Sequence, residues 1–123
     1  ELFGQADFLS IHLVLGSRSH QLVSENELKL MKSSSFLVNT SRGPIVDEKA
    51  LITALKRRKI RGAGIDVYNT EPLPVDNEYR KLDNIILTPH TGYFTEESYK
   101  IFYQQIVENI IAWHNGSPLR QLT

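Results

Sequence analysis

Four short apolar runs, each ending in a polar or glycine-containing turn, constrain this chain more than any other feature. They are residues 8–15, 36–39, 62–67 and 85–87. The first reads as a short buried strand, and the others have strand length and strand-like residues. Between the first two runs, Ser24 and Glu27 have capping-box spacing, which predicts a short helix over residues 25–31. Before the third run, Asp47 is placed to cap a helix reaching about Arg58. Ala50, Leu51, Ala54 and Leu55 share one face of it, and Lys56, Arg57, Arg58 and Lys59 crowd its last turn, where the helix dipole favours cations. Residues 68–83 are irregular, with Pro72 and Pro74 blocking regular structure and a helical turn near residues 78–82. Thr95 opens the longest helix. Its Tyr99, Phe102, Tyr103, Ile106, Ile110 and Trp113 fall at helical spacing, as core or interdomain packing would require, and Asn115-Gly116 ends it. Strand–helix alternation of this kind implies an α/β fold with a mostly parallel sheet and right-handed crossovers.

Charge and composition remove whole classes of function. Fourteen cationic and fourteen anionic side chains cancel, so neither nucleic acid nor an anionic membrane is an expected partner. With no cysteine there is no disulfide, no thiol nucleophile and no Cys-ligated zinc, which suits a cytoplasmic protein. His12, His20, His90 and His114 lack metal-ligand spacing, so no metal is expected. No apolar run is long enough to span a bilayer. The opening Glu-Leu-Phe-Gly-Gln-Ala-Asp reads as a chain entered partway through a helix, hence as a piece of a longer protein.

The strand ends carry the chemistry. In a parallel sheet all carboxyl ends share one edge, and ligands bind there in open α/β sheets. Read in turn, those ends present His12-Leu13, Thr40-Ser41-Arg42-Gly43, Asp66 and His90. Arg42 offers a planar fork suited to a carboxylate. Glu71, in the stiff run Thr-Glu-Pro-Leu-Pro, would orient the His90 ring and stabilise its imidazolium if it reaches it. Asp66 either caps the following turn or accepts a hydrogen bond from a cofactor amide or ribose. Gly62-Ala63-Gly64 opens a strand instead of following one, so the dinucleotide fingerprint is absent, as is a P-loop.

Five segments in order carry a family resemblance: Ala6–Leu15, Leu37–Glu48, Gly62–Tyr68, Thr70–Pro74 and Leu87–Tyr93. The chain resembles the D-isomer-specific 2-hydroxyacid dehydrogenases. The resemblance implies the second half of a doubly wound, Rossmann-like NAD(P)-binding domain over residues 1–92. Residues 93–123 would be a crossing helix and tail that pack toward a substrate domain lying outside this chain. It implies a hydride exchanged between NAD or NADP and a D-2-hydroxy or 2-keto acid. Arg42 would hold the substrate carboxylate, His90 would move the proton, and Glu71 would pair with His90. Leu13, Thr40, Ser41, Arg42, Asp66, His90 and Gly92 would line the cofactor. A homodimer is implied for the full-length form, and the isolated piece is expected to be inactive. A corepressor-like, NAD-sensing module on the same fold is the alternative. Departures are small: Val14 stands where the family often has Pro, and Ser33-Ser34-Ser35 where it commonly has Pro-Gly. Glu71 speaks against the formate-oxidising branch, where Gln would be expected.

Overall fold

The computed structural model describes residues 1–122. They divide into two compact units, residues 1–92 and the segment from Tyr93 onward. In the first unit a short helix α1 (Leu2–Gln5) leads into β1 (Phe8–Ile11), α2 (Glu25–Leu30) and β2 (Phe36–Asn39). A 3-10 turn (Gly43–Ile45), α3 (Glu48–Lys56) and β3 (Gly62–Ile65) follow. A second 3-10 turn (Glu78–Lys81) precedes β4 (Ile85–Leu87). The strands lie in the order β1-β2-β3-β4, every neighbouring pair parallel. Right-handed crossovers between strands taken in sequential order put successive helices on one face of the sheet, and α2 and α3 pack together there.

Burial separates the two faces. Leu9, Ile11, Leu37, Ala63 and Ile65 point into the core with Leu28 of α2 and Leu51 and Leu55 of α3. The alternate positions Phe8, Ser10 and Ile86 are exposed. On that open face the Phe8 and Phe36 rings, directly opposite in register, stack with centroids 5.3 Å apart.

The first strand is therefore shorter and more one-sided than its apolar run predicts. It stops at Ile11, because β2 turns away after Asn39 and the Ser41 hydroxyl donates to the Ile11 carbonyl at 2.7 Å. Leu13 and Val14 beyond it are exposed. The strand before His90 is an edge strand, with Ile86 72% exposed.

Helix ends follow the predicted chemistry. Ser24 and Glu27 form a capping box, the Ser24 amide donating to Glu27 Oε2 at 3.0 Å. Asp47 Oδ1 accepts from the Ala50 amide at 3.1 Å. Two cations at the end of α3 find carboxylates: Lys56 pairs with Glu78, and Arg58 with Asp83.

The second unit is dominated by α4 (Glu96–His114), whose first turn is capped by Thr95 accepting from the Ser98 amide. Tyr93, Phe94, Tyr99 and Tyr103 form a ladder of ring contacts with centroids 4.3 to 5.3 Å apart. No residue of α4 is buried, so its apolar stripe is not core in this chain.

Candidate active site

The carboxyl edge of the sheet gathers the residues that the topology predicts, and each is set by a turn with its own internal tie. After β2, Asn39 is 1% exposed. Its Nδ2 donates to the Arg42 carbonyl at 3.0 Å, and its Oδ1 accepts from the Ser41 amide at 3.1 Å. A single buried amide thus folds the chain back at Thr40 to Arg42 and turns Arg42 out to solvent. One Nη of Arg42 donates to the Ser41 carbonyl at 2.6 Å. The other edge of its guanidinium makes no hydrogen bond among the described residues, though its charge acts on Glu71.

Gly43 lets this turn approach the next loop. A Cβ there would lie 2.2 Å from the Tyr68 carbonyl carbon and 2.4 Å from its oxygen. The Arg42 turn and the segment leading to Glu71 are in backbone contact, which no larger residue would allow.

After β4 the tie comes from the neighbouring strand. Asp66 follows β3 and is 4% exposed. Its Oδ1 accepts from the Thr88 hydroxyl and, at 2.9 Å, from the Thr91 amide; its Oδ2 accepts from the Gly92 amide at 2.9 Å. Burial alone would raise this carboxyl, but the three hydrogen bonds outweigh it and hold the group below the ordinary carboxylate range. Between these anchors His90 adopts φ 58°, in the left-handed region. For a residue with a Cβ that conformation costs about 1–2 kcal/mol, and it persists where surrounding bonds over-determine it. Gly92 is needed for the same anchor, since a Cβ there would stand 2.9 Å from Asp66 Oδ2.

His90 meets Glu71 on this edge, Nδ1 to Oε2 at 2.7 Å. Glu71 Oε1 accepts from the Tyr68 amide at 2.9 Å. The hydrogen bond from the His90 ring, then that from Tyr68, keeps the Glu71 carboxyl below its usual range. An ionised carboxylate can only accept, so in this pair Nδ1 is the donor. Tyr68 braces the pair from behind. Its hydroxyl lies 3.0 Å from the Ile65 carbonyl and 2.8 Å from the Thr88 carbonyl, joining the ends of β3 and β4.

Two clefts open on the edge. One, of about 450 Å³, is lined by His12 to Leu15 and Thr40 to Arg42. The other, about 630 Å³, is lined by Tyr68, Glu71, Leu73, Arg80, Leu87 and His90 among others. The first has an exposed apolar wall, Leu13 and Val14, facing the hydroxyl-bearing turn Thr40-Ser41. That combination suits a flat ring carried on a hydroxylated sugar. Asp66 Oδ2 accepts one bond and retains a second lone pair. The donor set therefore fits a nicotinamide nucleotide. Among the described residues no group of three or more metal-ligating side chains occurs. No helix among them is long and apolar enough to cross a membrane.

Asn39, Tyr68 and Arg80 are the parts that sequence reasoning passed over. Only Asn39 carried a readable signal, an Asx-type residue at a strand end just before a sharp turn.

A parallel sheet with a histidine bonded to a carboxylate at its carboxyl edge has the layout of a nucleotide-binding domain. Comparison with known proteins narrows it: residues 1–92 match the family described as D-isomer specific 2-hydroxyacid dehydrogenase, NAD binding domain, and the chain belongs to that family. A glyoxylate reductase of Korarchaeum cryptofilum is 40% identical over 116 residues, covering 94% of this chain and 35% of that protein. Glyoxylate/hydroxypyruvate reductase B of Enterobacter agglomerans is 44% identical over 111 residues, 90% of this chain and 34% of its own length. The chain thus spans about a third of the length of the curated relatives it matches. Among solved structures, the NAD-complexed D-isomer specific 2-hydroxyacid dehydrogenase of Lactobacillus delbrueckii ssp. bulgaricus superposes with a TM-score of 0.82 at 30% identity. That match covers 99% of this chain and 41% of the other. An acyclic imino acid reductase bound to NADPH and D-Arg gives 0.80 at 31% identity, covering 99% and 39%.

Proposed function

We propose that this chain supplies the proton-transfer and carboxylate-binding edge of an NAD(P)-dependent oxidoreductase interconverting a D-2-hydroxy acid and its 2-keto acid. The observation that carries the proposal is the 2.7 Å contact between His90 Nδ1 and Glu71 Oε2, on the same sheet edge as Arg42. In reduction, the Nε2–H of a His90 imidazolium gives its proton to the substrate carbonyl oxygen, while Glu71 stabilises the charged ring before the transfer. In oxidation the neutral ring takes the hydroxyl proton back. The open edge of Arg42 binds the substrate carboxylate through two parallel N–H donors and fixes C2 beside His90. Leu13, Thr40, Ser41, Asp66 and Gly92, with Arg42 and His90, would hold NAD or NADP, whose chemistry there is hydride exchange with C2. Relatives named as glyoxylate and hydroxypyruvate reductases favour a small 2-keto acid as substrate. We assign residues 1–92 to the C-terminal half of the nucleotide-binding domain, and residues 93–123 to a crossing helix that meets a substrate domain. The exposed stripe of α4 supports that role.

The test is His90→Ala in the whole protein. Turnover of glyoxylate or hydroxypyruvate with NADH or NADPH should fall by about 10²- to 10⁴-fold, with cofactor binding retained. Near-wild-type turnover by the variant would remove His90 from proton transfer. Tight cofactor binding with no turnover of any 2-keto acid by the unaltered protein would favour a cofactor-sensing module instead.

A further inference from the structure

Glu71 stands in a loop that can do little to hold itself. Pro72 and Pro74 have no N–H to donate, and only the Leu73 side chain of this loop reaches the core. The Glu71 and His90 side chains are each 37% exposed, so water competes for their mutual hydrogen bond. Besides the Tyr68 amide on Glu71 itself, Arg80 ties this loop down by its backbone. Its Nε donates to the Pro74 carbonyl and its Nη2 to the Leu73 carbonyl, both at 2.9 Å. Arg80 itself stands on firm ground. It belongs to the second 3-10 turn, beside Tyr79, which is 3% exposed. That turn is tied to α3 twice, by Glu78 to Lys56 and by Asn77 Nδ2 donating to Glu48 Oε1 at 2.9 Å. Arg80 also lines the same cleft as Glu71 and His90.

We propose that Arg80 is a positioning residue for the His90–Glu71 pair: its guanidinium transmits the fixed position of α3 to the Glu71 loop and so sets the carboxylate against the ring. The inference rests on the reading of Glu71 as the partner of a proton-transferring His90. The effect of Arg80 on turnover runs through Glu71.

The experiment is a double-mutant cycle in the whole protein, with Arg80→Ala, Glu71→Gln and both together, each assayed for NAD(P)H-dependent 2-keto acid reduction. Arg80→Ala should lower kcat by about ten- to a hundredfold with KM for the acid nearly unchanged, as loss of alignment does. Arg80→Lys, which keeps one donor and the charge, should recover part of the loss, and millimolar guanidinium should rescue the alanine variant. In the Glu71→Gln background, Arg80→Ala should add nothing. Independent, additive losses would overturn the proposal, as would full activity of Arg80→Ala beside an impaired Glu71→Gln. If Glu71→Gln is itself fully active, the reading of the pair fails instead. Arg80 is then judged by the downfield proton signal of the His90 Nδ1–H···Glu71 bond. Loss of that signal in a folded Arg80→Ala variant supports the brace, and its persistence refutes it.

Discussion

The turns after β2 and β4 solve one problem by different means. Each must present a functional side chain at the end of a strand, and each is folded around one buried polar residue that bonds to the turn backbone. After β2 the tie is Asn39, a neutral amide on the same strand, which uses its donor and its acceptor on two backbone groups. After β4 it is Asp66, a carboxylate just past the end of the neighbouring strand, which accepts from two amides and a hydroxyl. The difference follows from what each turn leaves unpaired. The Arg42 turn offers one N–H and one C=O, which a carboxamide matches. The His90 turn offers donors only, including two successive amides, and a negative acceptor suits these. The second arrangement holds a left-handed histidine that the first has no need to hold, and the charge makes it sensitive to acid.

The largest expected effect comes from joining the two loops too tightly. Gly43→Ala would place a methyl 2.2 Å from the Tyr68 carbonyl carbon, against backbone that no rotamer change can move. The Arg42 turn and the Glu71 loop must then separate, costing about 3 kcal/mol. A urea midpoint near that of the unaltered chain would mean that the contact is looser than the geometry requires.

Next come the ties themselves. Asp66→Ala leaves the Thr91 and Gly92 amides and the Thr88 hydroxyl without their acceptor, for a loss of about 2–3 kcal/mol. Asn39→Ala removes two neutral hydrogen bonds and should cost less, about 1–2 kcal/mol. Urea unfolding of both variants gives the ranking, and an equal or reversed order would end the distinction between a charged and a neutral tie. The same pair can be separated by where the damage falls. Amide exchange should quicken around Thr91 and Gly92 in the first variant, and around Ser41 in the second.

Much of this edge can be read from residues alone, because a parallel sheet forces every strand end to one side. Once Thr40 to Gly43, Asp66 and His90 stand at strand ends, topology gathers them. What stays hidden depends on approach across loops. Arg80 bonds to carbonyls six and seven residues back, those of Pro74 and Leu73, and nothing in its local sequence announces that. Gly43 looks like any turn glycine until the Tyr68 backbone is seen against it. The first strand misleads for a different reason. Leu13 to Leu15 line a cleft, yet in the sequence they simply extend the apolar run of β1. Periodicity likewise gives α4 a stripe but cannot say whether this chain covers it.

The smallest effect is confined to acid and is the sharpest test of the difference between the turns. The folded pKa of Asp66 lies below its unfolded value, which is about 3.9 for an ordinary aspartate. Its contribution to stability is therefore present in full above that unfolded value and is lost as pH falls through the lower folded one. Asn39 has no titrating group, so its turn should ignore this window. In a titration followed by amide chemical shifts, Thr91 and Gly92 should move together, with a midpoint below the ordinary aspartate range. Ser41, tied to the neutral amide, should stay still until the unit unfolds. If Ser41 moved in step with Thr91, acid would be acting on the whole sheet edge through global unfolding and not on the carboxylate tie. If neither amide moved below pH 4, the bonds drawn from Thr91 and Gly92 to Asp66 would not be what holds the left-handed His90 in place.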